Sequence, residues 1–347
     1  MSDAMRDATT SAPLRRRDFV KVVGLGAAAI GLGAGPPGSA AAATRLPHPL
    51  VTHNVNLYCT VKPVIVDTSG VGKVMITCGN FGPDDATSSV SLKYVTPFYL
   101  NVPTLPTVSG ATVAWLYQNT AVDVPSLIQV TWSSGIAAGA TKSVEIDANL
   151  DSGCPDQAPD GRAIFTTDAG NTVDIDSDLT RNAPFGRIRR RPLSTSPTPG
   201  NANLLWSYKS LPLVAGGSAV NVPFSFYNLS GSLLGTLHTS HFTFVTPFYC
   251  DVPSSGRPGG LSALYENTAD PAIPSIYRLN VPAGLGFILG LLNNPLTINI
   301  PFQAVTGEPV GHLKGNGIFV PTGSDTQGDF SNAYHPYGLM SVVSGAV

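Results

Sequence analysis

Val95-Thr96-Pro97-Phe98-Tyr99 returns unchanged as Val245-Thr246-Pro247-Phe248-Tyr249, 150 residues further on. The match extends outward in register. Val102-Pro103 recurs as Val252-Pro253, Leu116-Tyr117-Gln118-Asn119-Thr120 as Leu264-Tyr265-Glu266-Asn267-Thr268, and Val124-Pro125-Ser126-Leu127-Ile128 as Ile273-Pro274-Ser275-Ile276-Tyr277. Gly161-Arg162-Ala163-Ile164-Phe165 corresponds to Gly315-Asn316-Gly317-Ile318-Phe319. Five blocks in one order, at offsets between 148 and 154, mark a tandem duplication. The period is too long for a solenoid unit, and each copy is large enough to hold its own core.

Within each copy the apolar period is two. Leu57, Cys59 and Val61 alternate with Tyr58 and Thr60, and Val74–Cys78, Val113–Leu116, Ile128–Trp132 and Val144–Ile146 read as further short strands. The second copy agrees through Val222–Tyr227, Phe242–Val245 and Leu296–Ile300. Gly, Pro, Ser, Asn and Asp clusters punctuate these runs about every ten residues, the spacing of an antiparallel sandwich or barrel. Pro lacks the ladder donor, so Thr96-Pro97, Val102-Pro103, Val124-Pro125 and their counterparts are expected at strand boundaries. The expectation is an all-β chain of two tandem homologous β-sandwich domains, immunoglobulin-like or jelly-roll-like. They span 44–183 and 201–347 and are joined by a basic, Pro/Ser/Thr-rich linker at 184–200.

Residues 1–43 differ from the rest. A basic segment, the apolar Gly/Ala-rich run Val22–Gly35 and a small-residue tail follow one another in the order of a secretory signal peptide. Arg16-Arg17-Asp18-Phe19-Val20-Lys21 resembles the bacterial twin-arginine motif, carried by Arg16, Arg17, Phe19 and Lys21. The resemblance implies recognition by the twin-arginine export machinery, passage in the folded state, cleavage within Ala40–Ala43, and an extracellular or cell-envelope location. Neither the leader's apolar run nor Ala283–Leu292 reaches the roughly 20 residues of a spanning helix, so no transmembrane segment is expected in the mature chain.

Charge is sparse. Asp, Glu, Lys and Arg make up 12% of 347 residues, with a formal net charge of −2, which gives no reason to expect nucleic acid as a partner. Gly and Pro number 36 and 30, but 43% hydrophobic content supplies enough apolar surface to bury, so general disorder is excluded.

Few residues point to chemistry. There is no Gly-x-Ser-x-Gly elbow, phosphate loop, dinucleotide fingerprint or Cys-x-x-Cys, and of the histidines only His238 and His241 show ligand spacing, but in a strand they would face opposite sides. Asp174, Asp176 and Asp178 alternate, so an extended strand would project three hard oxygen ligands to one face, a candidate calcium set, against the alternative of a solvated acidic loop. No other cofactor is expected. Cys59 and Cys78 lie on consecutive strands, and copy two lacks both at the aligned positions near Ser207 and Phe226, which favours a disulfide. Cys154 with Cys250 is the other candidate pair. The repeated Tyr-x-Asn-Thr element reads either as a turn held by its polar side chains or as a duplicated sugar-binding edge formed by Tyr117, Asn119, Tyr265 and Asn267.

The residues shared by the two copies are mainly apolar, with no shared His, Cys or acidic cluster. A duplicated scaffold therefore ranks above a duplicated enzyme. The leading expectation is a non-enzymatic binding, adhesion or assembly module whose partner is an envelope glycan or another protein. A secreted glycan- or ester-active hydrolase and a self-assembling capsid-like or filament scaffold are the alternatives.

Overall fold

The computed structural model describes residues 55–342 except 63, 68, 120, 122, 152–160, 168–181, 184–187, 191–201, 230–235, 237, 268, 271, 285–294, 306–311 and 326–333. The leader motif, Asp174, Asp176, Asp178 and Cys154 lie outside the described residues. Both copies belong to one compact unit, Val51–Val347. Among the described residues there is no helix, and none is long and apolar enough to cross a membrane.

The first copy contains β1 (Leu57–Val61), β2 (Val64–Val66), β3 (Val71–Asn80), β4 (Val90–Val95), β5 (Leu100–Asn101), β6 (Thr112–Tyr117), β7 (Leu127–Trp132), β8 (Thr141–Leu150), β9 (Arg162–Thr167), β10 (Asn182–Ala183) and β11 (Ile188–Arg190). The second contains β12 (Leu204–Tyr208), β13 (Pro212–Val214), β14 (Val220–Asn228), β15 (Ser240–Val245), β16 (Cys250–Asp251), β17 (Leu261–Tyr265), β18 (Ile276–Val281), β19 (Leu296–Ala304), β20 (His312–Pro321) and β21 (Tyr334–Val342). Each copy is a sandwich of two sheets. In the first, β11-β2-β3-β8-β5, with β1 also on β3, faces β10-β9-β4-β7-β6; in the second, β12-β14-β19-β16 faces β13-β21-β20-β15-β18-β17. Pairing is antiparallel except for β11 on β2 and β13 on β21. Ile188–Arg190, inside the span read as a linker, thus adds a strand to the first sandwich.

Alternation decides which side chains enter the core. On β3, Val74, Ile76 and Cys78 are fully buried while Lys73, Met75 and Thr77 face outward; on β14, Val222, Phe224 and Phe226 are fully buried. Each such burial contributes about 1.5–3 kcal/mol. The prolines stand where a missing donor is harmless. Pro97 and Pro247 follow β4 and β15 and open matching turns, closed by Leu100 N to Pro97 O at 3.4 Å and Cys250 N to Pro247 O at 3.2 Å. Tyr99 and Tyr249 occupy the left-handed region in these turns, with φ of 61° and 60°. Bulky residues rarely adopt it, but here the tyrosine carbonyls accept Asp151 N at 2.9 Å and Val305 N at 3.0 Å, tying each turn to the end of β8 or β19.

The expected Cys59–Cys78 disulfide is not formed; the structure holds both as thiols. The two residues are direct partners across β1 and β3. Bonds from Lys62 N to Met75 O and Phe81 N to Asn56 O fix the hydrogen-bonded rungs, so Cys59 and Cys78 fall on a close rung, with Cα atoms about 4.5 Å apart. The Cys59 thiol turns instead across the sandwich, 3.7 Å from the Ala163 carbonyl oxygen. Burial pushes the Cys78 thiol well above its usual pKa, with Cys59 adding to the shift.

Candidate functional site

The Tyr-x-Asn-Thr elements end the edge strands β6 and β17. Each strand carries a bulge at the same place, between Trp115 and Tyr117 and between Ala263 and Tyr265. Bulges re-aim the side chains beside them, and here Tyr117 meets Tyr265, ring centroids 5.6 Å apart. Equivalent residues of the two copies touching each other is the signature of a two-fold arrangement within one chain.

Asn119 and Asn267 are engaged in turns. Asn119 N donates to Ser126 Oγ at 3.0 Å, which donates back to Asn119 Oδ1 at 3.0 Å, and Ser126 N donates to Thr96 Oγ1 at 2.8 Å. The second copy repeats the arrangement with Asn267 N to Ser275 Oγ at 3.1 Å and Ser275 N to Thr246 Oγ1 at 2.9 Å. Asn267 Nδ2 also donates to the carbonyls of Asp270 and Ile273. The duplicated polar residues therefore hold the scaffold together. Thr120 and Thr268 lie outside the described residues.

The copies meet through sheet faces. Val245, Phe248, Ile276, Ile318 and Val320 of the second copy belong to the same buried cluster as Val95 and Leu127 of the first. The loop before β7 supplies Asp123 to Arg278 on β18, whose Nη2 is 2.8 Å from both carboxylate oxygens. Arg278 Nε donates to Thr243 Oγ1 at 3.2 Å, and Thr243 Oγ1 donates to Asp123 Oδ2 at 3.3 Å. The matching loop before β18 supplies Asp270 to Lys93 on β4 at 3.0 Å, and Lys93 also donates to Thr166 Oγ1 at 2.7 Å. Lys93 is only 5% exposed. His241, beside the Arg278 pair, has its pKa lowered by burial and then by the Arg278 guanidinium, against the opposing pull of Asp123.

One polar cluster belongs to the second copy alone. Arg257 bonds Glu266, donates to Val252 O at 2.5 Å and lies 5.0 Å over the Tyr277 ring. The Tyr277 hydroxyl lies 3.3 Å from Asp251 Oδ1 and 3.4 Å from Glu266 Oε1. The hydrogen bond from Arg257 holds the Glu266 carboxyl below its ordinary pKa, while burial raises that of Tyr277. Tyr277 is fully buried, so the cluster latches the 252–257 loop to the sheet. Its counterparts by sequence, Asn101, Gln118 and Ile128, lack these groups.

The outward face of β1, β3 and β8 is graded. Its first rung is Tyr58, Gly79 and Thr141, its second Thr60, Thr77 and Ser143, its third Lys62, Met75 and Glu145, and beyond them come Lys73 and Asp147. Lys73 pairs with both acids at the exposed end. Phe81, just past β3, stacks on Tyr58 with centroids 3.8 Å apart and planes 11° from parallel, and remains 66% exposed. Among the described residues no group of three His, Cys, Asp or Glu is placed to hold a metal ion.

No protein-family model and no curated protein matches the chain. Among solved structures it is similar to a non-cellulosomal cohesin from Archaeoglobus fulgidus, at 14% identity and a TM-score of 0.26, over 38% of this chain and 91% of that one. It is also similar to a partial N-terminal region of an enterococcal surface protein, at 11% identity and a TM-score of 0.21, over 84% and 96% of the two chains. A type II cohesin dyad from the adaptor ScaA scaffoldin of Acetivibrio cellulolyticus matches at 8% identity and a TM-score of 0.22, over 85% and 98%. At these scores the assignment of an all-β sandwich fold rests on the strand order and register given above.

Proposed function

We propose that this chain is an exported, non-enzymatic protein of the extracellular space or cell envelope that works as a binding, adhesion or assembly module. The observation that carries the reading is how the duplicated polar residues are used. Thr96, Ser126 and Asn119, with Thr246, Ser275 and Asn267, close turns, and the charged residues Asp123, Arg278, Lys93 and Asp270 lock one copy to the other. Fusing two sandwiches through sheet faces leaves β1-β3-β8 and β12-β14-β19 turned outward as extended surfaces, the first mixed in charge only toward its Lys62, Lys73, Glu145 and Asp147 end, suited to contact without strong electrostatic steering. Export through the Arg16-Arg17 leader supports the location.

The test is to express the full chain with its leader in a bacterium that has twin-arginine transport. Mature protein is then incubated with cell-wall material, analysed by light scattering and assayed for glycan and ester hydrolysis. Export that fails in the Arg16→Lys/Arg17→Lys double variant, with retention on wall material or defined assembly, supports the proposal. Hydrolysis of a glycan or ester, with neither retention nor assembly, overturns it.

A further inference from the structure

We infer that the Phe81–Tyr58 stack and the hydroxyl rung beside it form a binding site for the pyranose rings of a neutral polysaccharide. The inference rests on the binding-module reading and names the ligand class and the surface.

The platform is built rigidly. Asn80, fully buried, accepts the backbone N–H groups of Asn56 at 3.0 Å and Gly82 at 2.9 Å through Oδ1, and its Nδ2 donates to Asp84 O at 2.8 Å and Ile136 O at 3.3 Å. Phe81 N donates to Asn56 O at 2.7 Å. Under the stack, Gly79 lets the Tyr58 ring lie close on the sheet: a Cβ there would stand 2.6 Å from the ring and displace it. The exposed aromatic ring is thus fixed before any ligand arrives, which lowers the ordering cost of binding.

The surroundings select the occupant. A stable protein interface needs about 800 Å² per partner, whereas a single aromatic side chain offers at most roughly 150–250 Å². Single-stranded nucleic acid also stacks on aromatic rings but needs a basic track for its phosphates. The charged residues around this face are Asp84 and Asp85 in the loop after Phe81, Lys142 between Thr141 and Ser143, Lys62 on the rung after Thr60, and Lys73 with Glu145 and Asp147 farther along, so acids and lysines are mixed and no basic track crosses it. An uncharged ring with an apolar C–H face and a rim of hydroxyls fits both the exposed face of Phe81 and the exposed Thr60, Thr141 and Ser143.

The second copy is the built-in comparison. Asn203 N donates to Asn228 Oδ1 and Leu229 N to Asn203 O, repeating the clamp, but Leu205 and Leu229 replace Tyr58 and Phe81. There the hydroxyls of Ser225 and Thr297 bond each other at 2.9 Å.

The experiment is calorimetric titration of the full mature chain with cellohexaose, chitohexaose and maltohexaose, comparing the parent with Phe81→Ala, Thr60→Val/Ser143→Ala and Leu229→Ala. The expected result is binding of at least one hexasaccharide that Phe81→Ala weakens about tenfold or more and the hydroxyl variant weakens measurably. Leu229→Ala leaves affinity unchanged, and all variants keep the parent's denaturation midpoint within error. Binding by none of the three, or binding that Phe81→Ala leaves intact, overturns the inference. Retention on wall material alongside either failure leaves the binding-module proposal standing with a different ligand.

Discussion

The two copies share a backbone plan and fill it differently. Where the first places Cys59 opposite Cys78, the second places Trp206 opposite Phe226. The Asn80 and Asn228 clamps fix this correspondence, so the counterpart of Cys59 is Trp206 and not the neighbouring Ser207. Around it the second core is a continuous aromatic cluster in which Phe242 lies 4.8 Å from Trp206 and 5.1 Å from Phe226. The first core is mainly aliphatic, with Trp132 and Phe165 in edge contact at 5.9 Å. A sandwich requires apolar volume and alternation, and tolerates large exchanges of shape if total packing is kept. What both copies kept is the turn and bulge chemistry that sets register.

The comparison is broken most forcefully at its centre. Trp206→Ala should destabilise the chain by about 3–5 kcal/mol through the cavity it leaves, while Cys59→Ala at the equivalent position should cost only about 1 kcal/mol. Guanidinium denaturation of the two variants checks this; equal losses would mean that the two cores are not packed as described.

A smaller effect lies in the positive-φ tyrosines. At position 249, Gly should be more stable than Ala by about 1–2 kcal/mol, since both remove the ring and only Ala retains the left-handed penalty. The same ordering is expected at position 99, and a reversed ordering in either copy would contradict the turn geometry.

The smallest effect separates the copies by pH. The Glu266 carboxyl, held below its ordinary pKa chiefly by the hydrogen bond from Arg257, contributes stability that is present above the unfolded value of about 4.3 and is lost as pH falls through the lower folded value. Gln118, its counterpart, does not titrate. Glu266→Gln should therefore flatten the acid limb of a stability-against-pH curve, whereas Gln118→Ala should leave that limb unchanged.

Much of this architecture is legible in the chain. Alternation in Val74–Cys78 and Val222–Tyr227, with proline at strand ends, announces two all-β copies. Other features are silent. Lys93 alternates with Leu92 and Tyr94 like any solvent-facing residue, and only the packing of a second sheet over β4 buries it against Asp270. The bulges at Leu116 and Leu264 shift a register that sequence spacing cannot reveal, so the repeated tyrosines read equally as turn or ligand residues until their rings meet. The spacing of Cys59 and Cys78 sets them on neighbouring strands, but side-chain direction decides whether thiols bond. Phe81 carried no signal, being a single apolar residue in a turn.

The two copies are locked through their sheet faces, and a double-mutant cycle on Asp123 and Arg278 tests this most directly. Asp123→Ala and Arg278→Ala should each destabilise the chain by about 3–5 kcal/mol by stranding a largely buried charge. The double variant should cost less than their sum, giving a coupling of about 0.5–3 kcal/mol. Strict additivity, with coupling indistinguishable from zero, would contradict the interface.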